Sequence, residues 1–165
     1  MKKALILGVT GQDGSYLADI LLNKGYEVHG LVRKSATGNT KNIQHLIDDD
    51  SLFNISFFLH RGDLLDSTSL YRIFNDVNPD EIYNEADQDH VRWSYDMVSY
   101  SSEITAVAVA RILEIIKQIN PNIKYFQPLT SNMFGISDVD RQNELTQFNP
   151  QSPYAIGKTF AYYTT

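Results

Sequence analysis

An apolar run, three glycines spaced three apart and an apolar-periodic helix follow one another without interruption near the start of this chain. The stretch is Lys3-Ala4-Leu5-Ile6-Leu7-Gly8-Val9-Thr10-Gly11-Gln12-Asp13-Gly14-Ser15-Tyr16-Leu17. The apolar run reads as a buried parallel strand. A strand–turn–helix junction leaves backbone N–H groups at the helix N-terminus, where the helix dipole also favours negative charge. A pyrophosphate fits there if no side chain blocks it, and Gly8, Gly11 and Gly14 supply both the tight turn and the close approach. Gln12 and Asp13 belong to the same candidate binding turn. The spacing is Gly-x-x-Gly-x-x-Gly, not the commoner Gly-x-Gly-x-x-Gly, and a bare glycine-rich turn is equally a tight connection. The strand before it and the helix after it favour the phosphate site.

Strand and helix signals alternate through the rest of the chain. Strands are predicted over 3–8, 26–32, 55–60, 81–84 and 124–127. Helices are predicted over 13–24 (ending at Gly25), through Ile43, Leu46 and Ile47, over 67–75 and 98–119, and from Tyr154 onward. Such alternation with right-handed crossovers gives an α/β fold, a doubly wound parallel sheet covered on both faces. The order 3-2-1-4-5 places a ligand crevice at the carboxyl ends of strands one and four, where most of the notable polar residues fall. The 165 residues suffice for one domain with a core, and no linker divides them. Absence of cysteine excludes a disulfide frame or thiolate metal site, and no metal centre is expected. A net charge of −6 argues against general nucleic-acid binding. The first apolar run is too short for a signal peptide or a membrane span, so a cytoplasmic protein without a membrane partner is the default.

Four further places carry chemistry. The second strand ends Leu31-Val32-Arg33-Lys34-Ser35 without a carboxylate. Two cations and a hydroxyl suit the 2′-phosphate of NADP, with a solvated basic turn as the alternative. Gly62-Asp63-Leu64 follows strand three, where Asp63 either accepts an adenine amino group or simply closes a turn. Tyr154 and Lys158 stand four apart on one helical face, so the ammonium is expected to lower the phenol's pKa and ready it for proton transfer. Thr130 lies just beyond strand five beside Ser131 and Asn132; its hydroxyl can bind a substrate oxygen, or cap a helix.

Ordered together, these residues resemble the extended short-chain dehydrogenase/reductase family, and within it the GDP-mannose 4,6-dehydratases. The likeness rests on residues 7–17, Val32-Arg33-Lys34-Ser35, Gly62-Asp63-Leu64, Pro79-Asp80-Glu81-Ile82-Tyr83-Asn84 and Ser152-Pro153-Tyr154-Ala155, and covers all 165 residues. It implies a Rossmann-type sheet, NADP as cofactor, and Leu64, Tyr154 and Lys158 among the cofactor contacts. It implies that Tyr154, assisted by Lys158, takes the proton of a sugar 4-hydroxyl while hydride passes to NADP. A carboxylate base then drives loss of water from C6, and the hydride returns there. Thr130 would hold the 4-oxygen, and the product would be GDP-4-keto-6-deoxymannose.

The chain departs from the family in three ways. The family's Ser-Thr-Ser-Glu is Leu129-Thr130-Ser131-Asn132 here, so the expected glutamate base is an asparagine that takes no proton at neutral pH. The family's Asn-Leu-Ala-Ala-Gln-Ser-His-Val is Asn84-Glu85-Ala86-Asp87-Gln88-Asp89-His90-Val91. In an extended segment Glu85, Asp87 and Asp89 share one side, so Asp87 or Asp89 is a candidate replacement base; the alternative is solvation or pairing with Arg92. His90 is expected to pack or to edge the substrate. Finally, the chain ends at Thr165, inside the Lys158 helix, so residues 1–165 are expected to be a partial dinucleotide-binding domain, incomplete at the C-terminus and lacking the substrate domain. The resemblance also implies a homodimer or homotetramer built on helix 98–119 and the Tyr154 helix, and a segment Arg33–Thr40 that reaches a neighbour's cofactor. A dehydratase acting on GDP-mannose or a relative leads, with a related reductase or epimerase, or a non-catalytic NADP-binding module, as alternatives.

Overall fold

The computed structural model describes residues 1–165 except Thr37 and Asp138, so the part of the Arg33–Thr40 expectation that falls on Thr37 lies outside the described residues. The described chain groups into two compact units, residues 1–86 with 114–126, and residues 87–113 with 127–165.

The first unit is a five-stranded parallel sheet. Its strands are β1 (Lys3–Leu7), β2 (Glu27–Val32), β3 (Phe57–Arg61), β4 (Glu81–Asn84) and β5 (Lys124–Phe126), in the order β3-β2-β1-β4-β5. This is the predicted order. β1 is central, pairing Leu5 with His29 on one side and with Ile82 on the other. Ala4, Ile6, Val28, Val32 and Phe57 form a core with Ala18 and Leu21 of α1 (Gln12–Asn23) and with Ile43 and Leu46 from the short helical stretch ending in α2 (Gln44–Ile47). α3 (Ser67–Val77) is stopped sharply at both ends. The Asp66 side chain accepts from the N–H groups of Thr68 and Ser69, and Asn78 takes the left-handed conformation at φ 46°. β3 begins two residues later than predicted because Leu52 O receives the N–H groups of Ile55, Ser56 and Phe57, holding them in a turn.

Beside the core, a polar chain crosses three strands. Lys3 Nζ lies 3.0 Å from Glu27 Oε1, which lies 2.9 Å from His29 Nε2, while His29 Nδ1 lies 2.8 Å from His60 Nε2. Burial pushes both imidazoles below their ordinary value of 6.5. The hydrogen bond from His29 holds Glu27 below 4.5. Each unfolded imidazole binds a proton that its folded counterpart resists, so stability is present above 6.5 and falls as pH drops below it. Glu27 adds a loss of the same sign at lower pH. Thermal unfolding should therefore give a lower midpoint at about pH 5.5 than at pH 8, and His29→Gln should flatten that difference.

The second unit is helical. Its elements are α4 (Val91–Asp96), α5 (Val98–Ser102), a π-helical stretch Glu103–Val107, the start of α6 (Ala108–Ile119), a 3-10 turn Ser131–Phe134, and α7 (Pro153–Thr164). The sequence predicts one helix over 98–119; the structure widens its middle into the π stretch and adds α4 before it. α7 starts at Ser152, whose hydroxyl accepts from Ala155 N–H at 3.1 Å, with Pro153 in its first turn. Gly157 lets α7 lie against the π stretch: a Cβ there would sit 3.1 Å from Thr105 Cβ and Cγ2. Among the described residues, no helix is long and apolar enough to cross a membrane.

Candidate active-site elements

In the first unit, the glycine turn is built as the spacing required. Gly8 has φ +85°, and a Cβ on it would meet backbone atoms of Glu85 and Ala86 at 2.8 Å, so the end of β4 comes hard against the turn. Gly11 N–H donates to Gly8 O at 2.9 Å and Gly11 caps α1 without any side-chain bond. A Cβ on Gly14 would lie 2.4 Å from Gly8 O. The first N–H groups of α1 thus open onto a surface that no local side chain covers, beside exposed Gln12 and Asp13. This bare cradle at the sheet's switch point fits a dinucleotide phosphate. The amide nitrogens of Asn39 and Asn42 donate to Thr10 Oγ1 and O at 3.1 and 3.0 Å, holding the segment after β2 against the turn, a contact that no motif announces. Arg33, Lys34 and Ser35 are exposed beyond β2. Asp63 Oδ1 accepts from Leu65 N–H at 2.9 Å, closing the turn after β3, and Leu64 is buried.

The second unit gathers Thr130, Tyr154 and Lys158 with an unforeseen set of partners. Lys158 is 4% exposed at its side chain, and its Nζ lies 2.7 Å from Asp87 Oδ2 and donates to Pro128 O at 2.9 Å. Asp87 Oδ1 in turn accepts from Thr105 Oγ1 and from Gln88 N–H, both at 2.7 Å. Gln88 Oε1 accepts from Ser101 Oγ at 2.8 Å, and Gln88 Nε2 donates to His90 O. The expected lowering of the phenol does not occur. The Tyr154 hydroxyl is pushed up to about 12, first by burial and then by the Asp87 charge, with Asp89 adding to it and a hydrogen bond to Thr130 opposing it. The ammonium still sits over the phenol ring, 5.7 Å from its centroid.

Asn132 has a structural task. Its backbone N–H and its side-chain amide both donate to Thr130 Oγ1, at 3.2 and 3.0 Å. A carboxylate cannot donate that second bond. Residues 85–90 form no strand, so the predicted alternation of Glu85, Asp87 and Asp89 imposes no common face. Asp87 is turned to Lys158, whereas Asp89 is exposed. Arg92 pairs with Asp96 at 3.7 Å rather than with Asp87. His90 caps α4 and stacks on Trp93, with ring centroids 4.8 Å apart.

A family model described as GDP-mannose 4,6 dehydratase matches residues 5–165. The chain belongs to this family. Among GDP-mannose 4,6-dehydratases, that of Vibrio cholerae is 46% identical over 164 residues, which cover 98% of this chain and 44% of that protein. The Homo sapiens enzyme is 46% identical over 164 residues, 97% of this chain and 44% of its own length. The chain thus spans less than half the length of these family members. The fold extends to the UDP-Glc/GlcNAc 4-epimerase of Campylobacter jejuni, with a TM-score of 0.87 at 21% identity, covering 99% of this chain and 47% of that one. A UDP-glucose 4-epimerase from Thermus thermophilus, solved with NAD, gives 0.79 at 25% identity, covering 98% and 49%.

Proposed function

We propose that this chain is the cofactor-binding part of an NADP-dependent sugar-nucleotide 4,6-dehydratase that converts GDP-mannose to GDP-4-keto-6-deoxymannose in the cytoplasm. The observation that carries this proposal is the buried Tyr154–Lys158 pair, with the Lys158 ammonium over the phenol ring, in a chain of the GDP-mannose 4,6-dehydratase family. Gly8, Gly11, Gln12, Asp13 and Gly14 would hold the cofactor pyrophosphate, Asp63 and Leu64 its adenine end, and Arg33 and Ser35 its 2′-phosphate. The absence of a carboxylate at that last place favours NADP over NAD. A nicotinamide held there would supply reversible hydride chemistry for the sugar. Tyr154 takes the proton of the 4-hydroxyl, and Thr130, oriented by Asn132, donates to the 4-oxygen.

With Asn132 spent on Thr130 and Asp87 spent on Lys158, Asp89 is the carboxylate left for the C5 proton. Its charge acts on the Tyr154 phenol while it remains exposed, as a base for a substrate carbon must be. Asp89→Asn should slow water loss by about 10²-fold or more without weakening NADP binding. Unchanged dehydration would remove Asp89 from this role. Exposed Ile156, Phe160 and Tyr163, spaced along one face of α7, support self-association as a homodimer or homotetramer.

The test is to incubate the intact protein with NADP and GDP-mannose and follow the loss of one water by mass spectrometry. A product lighter by one water supports the dehydratase. A sugar changed without loss of water is the mark of a reductase or epimerase, favoured by the asparagine at position 132. Cofactor binding with no change in any sugar nucleotide is the mark of a binding module. Fluorescence titration with NADPH and NADH should show the tighter affinity for NADPH.

A further inference from the structure

We propose that Asp87 is a positioning residue that clamps the Lys158 ammonium and so controls when Tyr154 can release its proton. The clamp is built, not incidental. Lys158 Nζ has two oxygen partners, Asp87 Oδ2 at 2.7 Å and Pro128 O at 2.9 Å, and its side chain is 4% exposed against 14% for Asp87. The other oxygen of Asp87 is aimed by two donors, Thr105 Oγ1 and Gln88 N–H. Thr105 comes from the π stretch, where the wide turn brings it against Gly157 of α7, one residue before Lys158. Gln88 is itself fixed by Ser101. Four pieces of chain therefore converge on one carboxylate whose charge partner is the lysine four residues after the tyrosine.

The consequence for Tyr154 is a charge effect added to that of burial. An unclamped ammonium at this spacing favours the phenolate, whereas a neutralised one does not, and the carboxylate beside it opposes the phenolate directly. The charges acting on the phenol are Asp87 and Asp89, from the segment after β4; Thr130 supplies a hydroxyl, and no charged group of α4, α5 or the π stretch is among those acting on it. Lys158 of its own helix lies over the ring.

The test reads the phenol, not the reaction, and so is independent of which sugar nucleotide is turned over. The intact protein is labelled with tyrosine carrying ¹³C at the ring carbon that bears the hydroxyl, and the Tyr154 signal is assigned by its loss in Tyr154→Phe. In the unsubstituted protein the signal should stay in the neutral form at pH 10. In Asp87→Asn the midpoint should fall from about 12 toward the ordinary 10, with burial still opposing the phenolate. Asp87→Glu should restore the high value. Asp87→Asn leaves Lys158 buried without its counter-charge, so Thr105→Val provides a variant that keeps every charge and the methyl packed on Gly157. It should lower the midpoint in the same direction by a smaller amount. In a Lys158→Met background, the fall caused by Asp87→Asn should shrink, since only the direct effect of the carboxylate remains. A midpoint unchanged or raised in both Asp87→Asn and Thr105→Val, or an equal fall with and without Lys158, overturns the proposal.

Discussion

Tyr154→Phe should lower turnover of the sugar nucleotide by about 10²- to 10⁴-fold and reduce cofactor affinity far less. The substitution removes one oxygen from a residue that is 7% exposed, and the ring that fills the space beside Lys158 remains. The loss therefore falls on proton transfer rather than on folding. Tyr162 also stands four residues from Lys158 on α7, but it is 46% exposed and packs edge-on against Phe148 and Tyr163, away from the buried phenol. Comparing kcat with the dissociation constant for NADPH separates the two effects. A variant that keeps turnover within twofold would place the acid–base group elsewhere.

Gly14→Ala should cost the first unit about 2–4 kcal/mol and its cofactor site together. The added methyl would lie 2.4 Å from Gly8 O and 3.0 Å from Gly8 C and Val9 Cα, all of them backbone atoms that no rotamer change can move. The start of α1 must back away from the turn, and the N–H groups aimed at a phosphate go with it. Gly25→Ala is the useful contrast. Gly25 has φ +77° but nothing within 4 Å of its built Cβ, so alanine there carries strain of about 1 kcal/mol without intrusion. Thermal midpoints should fall for both, whereas NADPH binding should fail only for Gly14→Ala.

Much of this was legible in the residues because it rests on local patterns. The strand order, the glycine turn and the pairing of Tyr154 with Lys158 follow from short-range spacing and from the rules of parallel sheets. What was hidden depends on contacts distant in sequence. Lys158 is held by Asp87 and by the Pro128 carbonyl, 71 and 30 residues away, and no spacing along α7 announces either. The phenol shift has the opposite sign to that expected because the fold buries Tyr154 and sets the Asp87 charge near it. Similarly, the apolar period over 98–119 looks like one uniform helix, because the π stretch adds a wide turn without interrupting the run of helix-forming residues. Asn132 takes no proton, but its amide donates to the hydroxyl of Thr130, a task that the order of residues does not announce.

The central place of β1 has a consequence for how the chain is made. Its five residues are made before either partner strand, and β2 completes its pairing with them at Leu31. Its other neighbour, β4, is finished only at Asn84. At about 5–20 residues per second, the apolar edge Ala4-Leu5-Ile6-Leu7 stays open for several seconds in every nascent copy. Adjacent ribosomes on one message then carry the same sticky ribbon side by side. The lysines at 2 and 3, which in the finished protein answer Glu81 and Glu27, would during that interval keep the ribbons apart by repulsion.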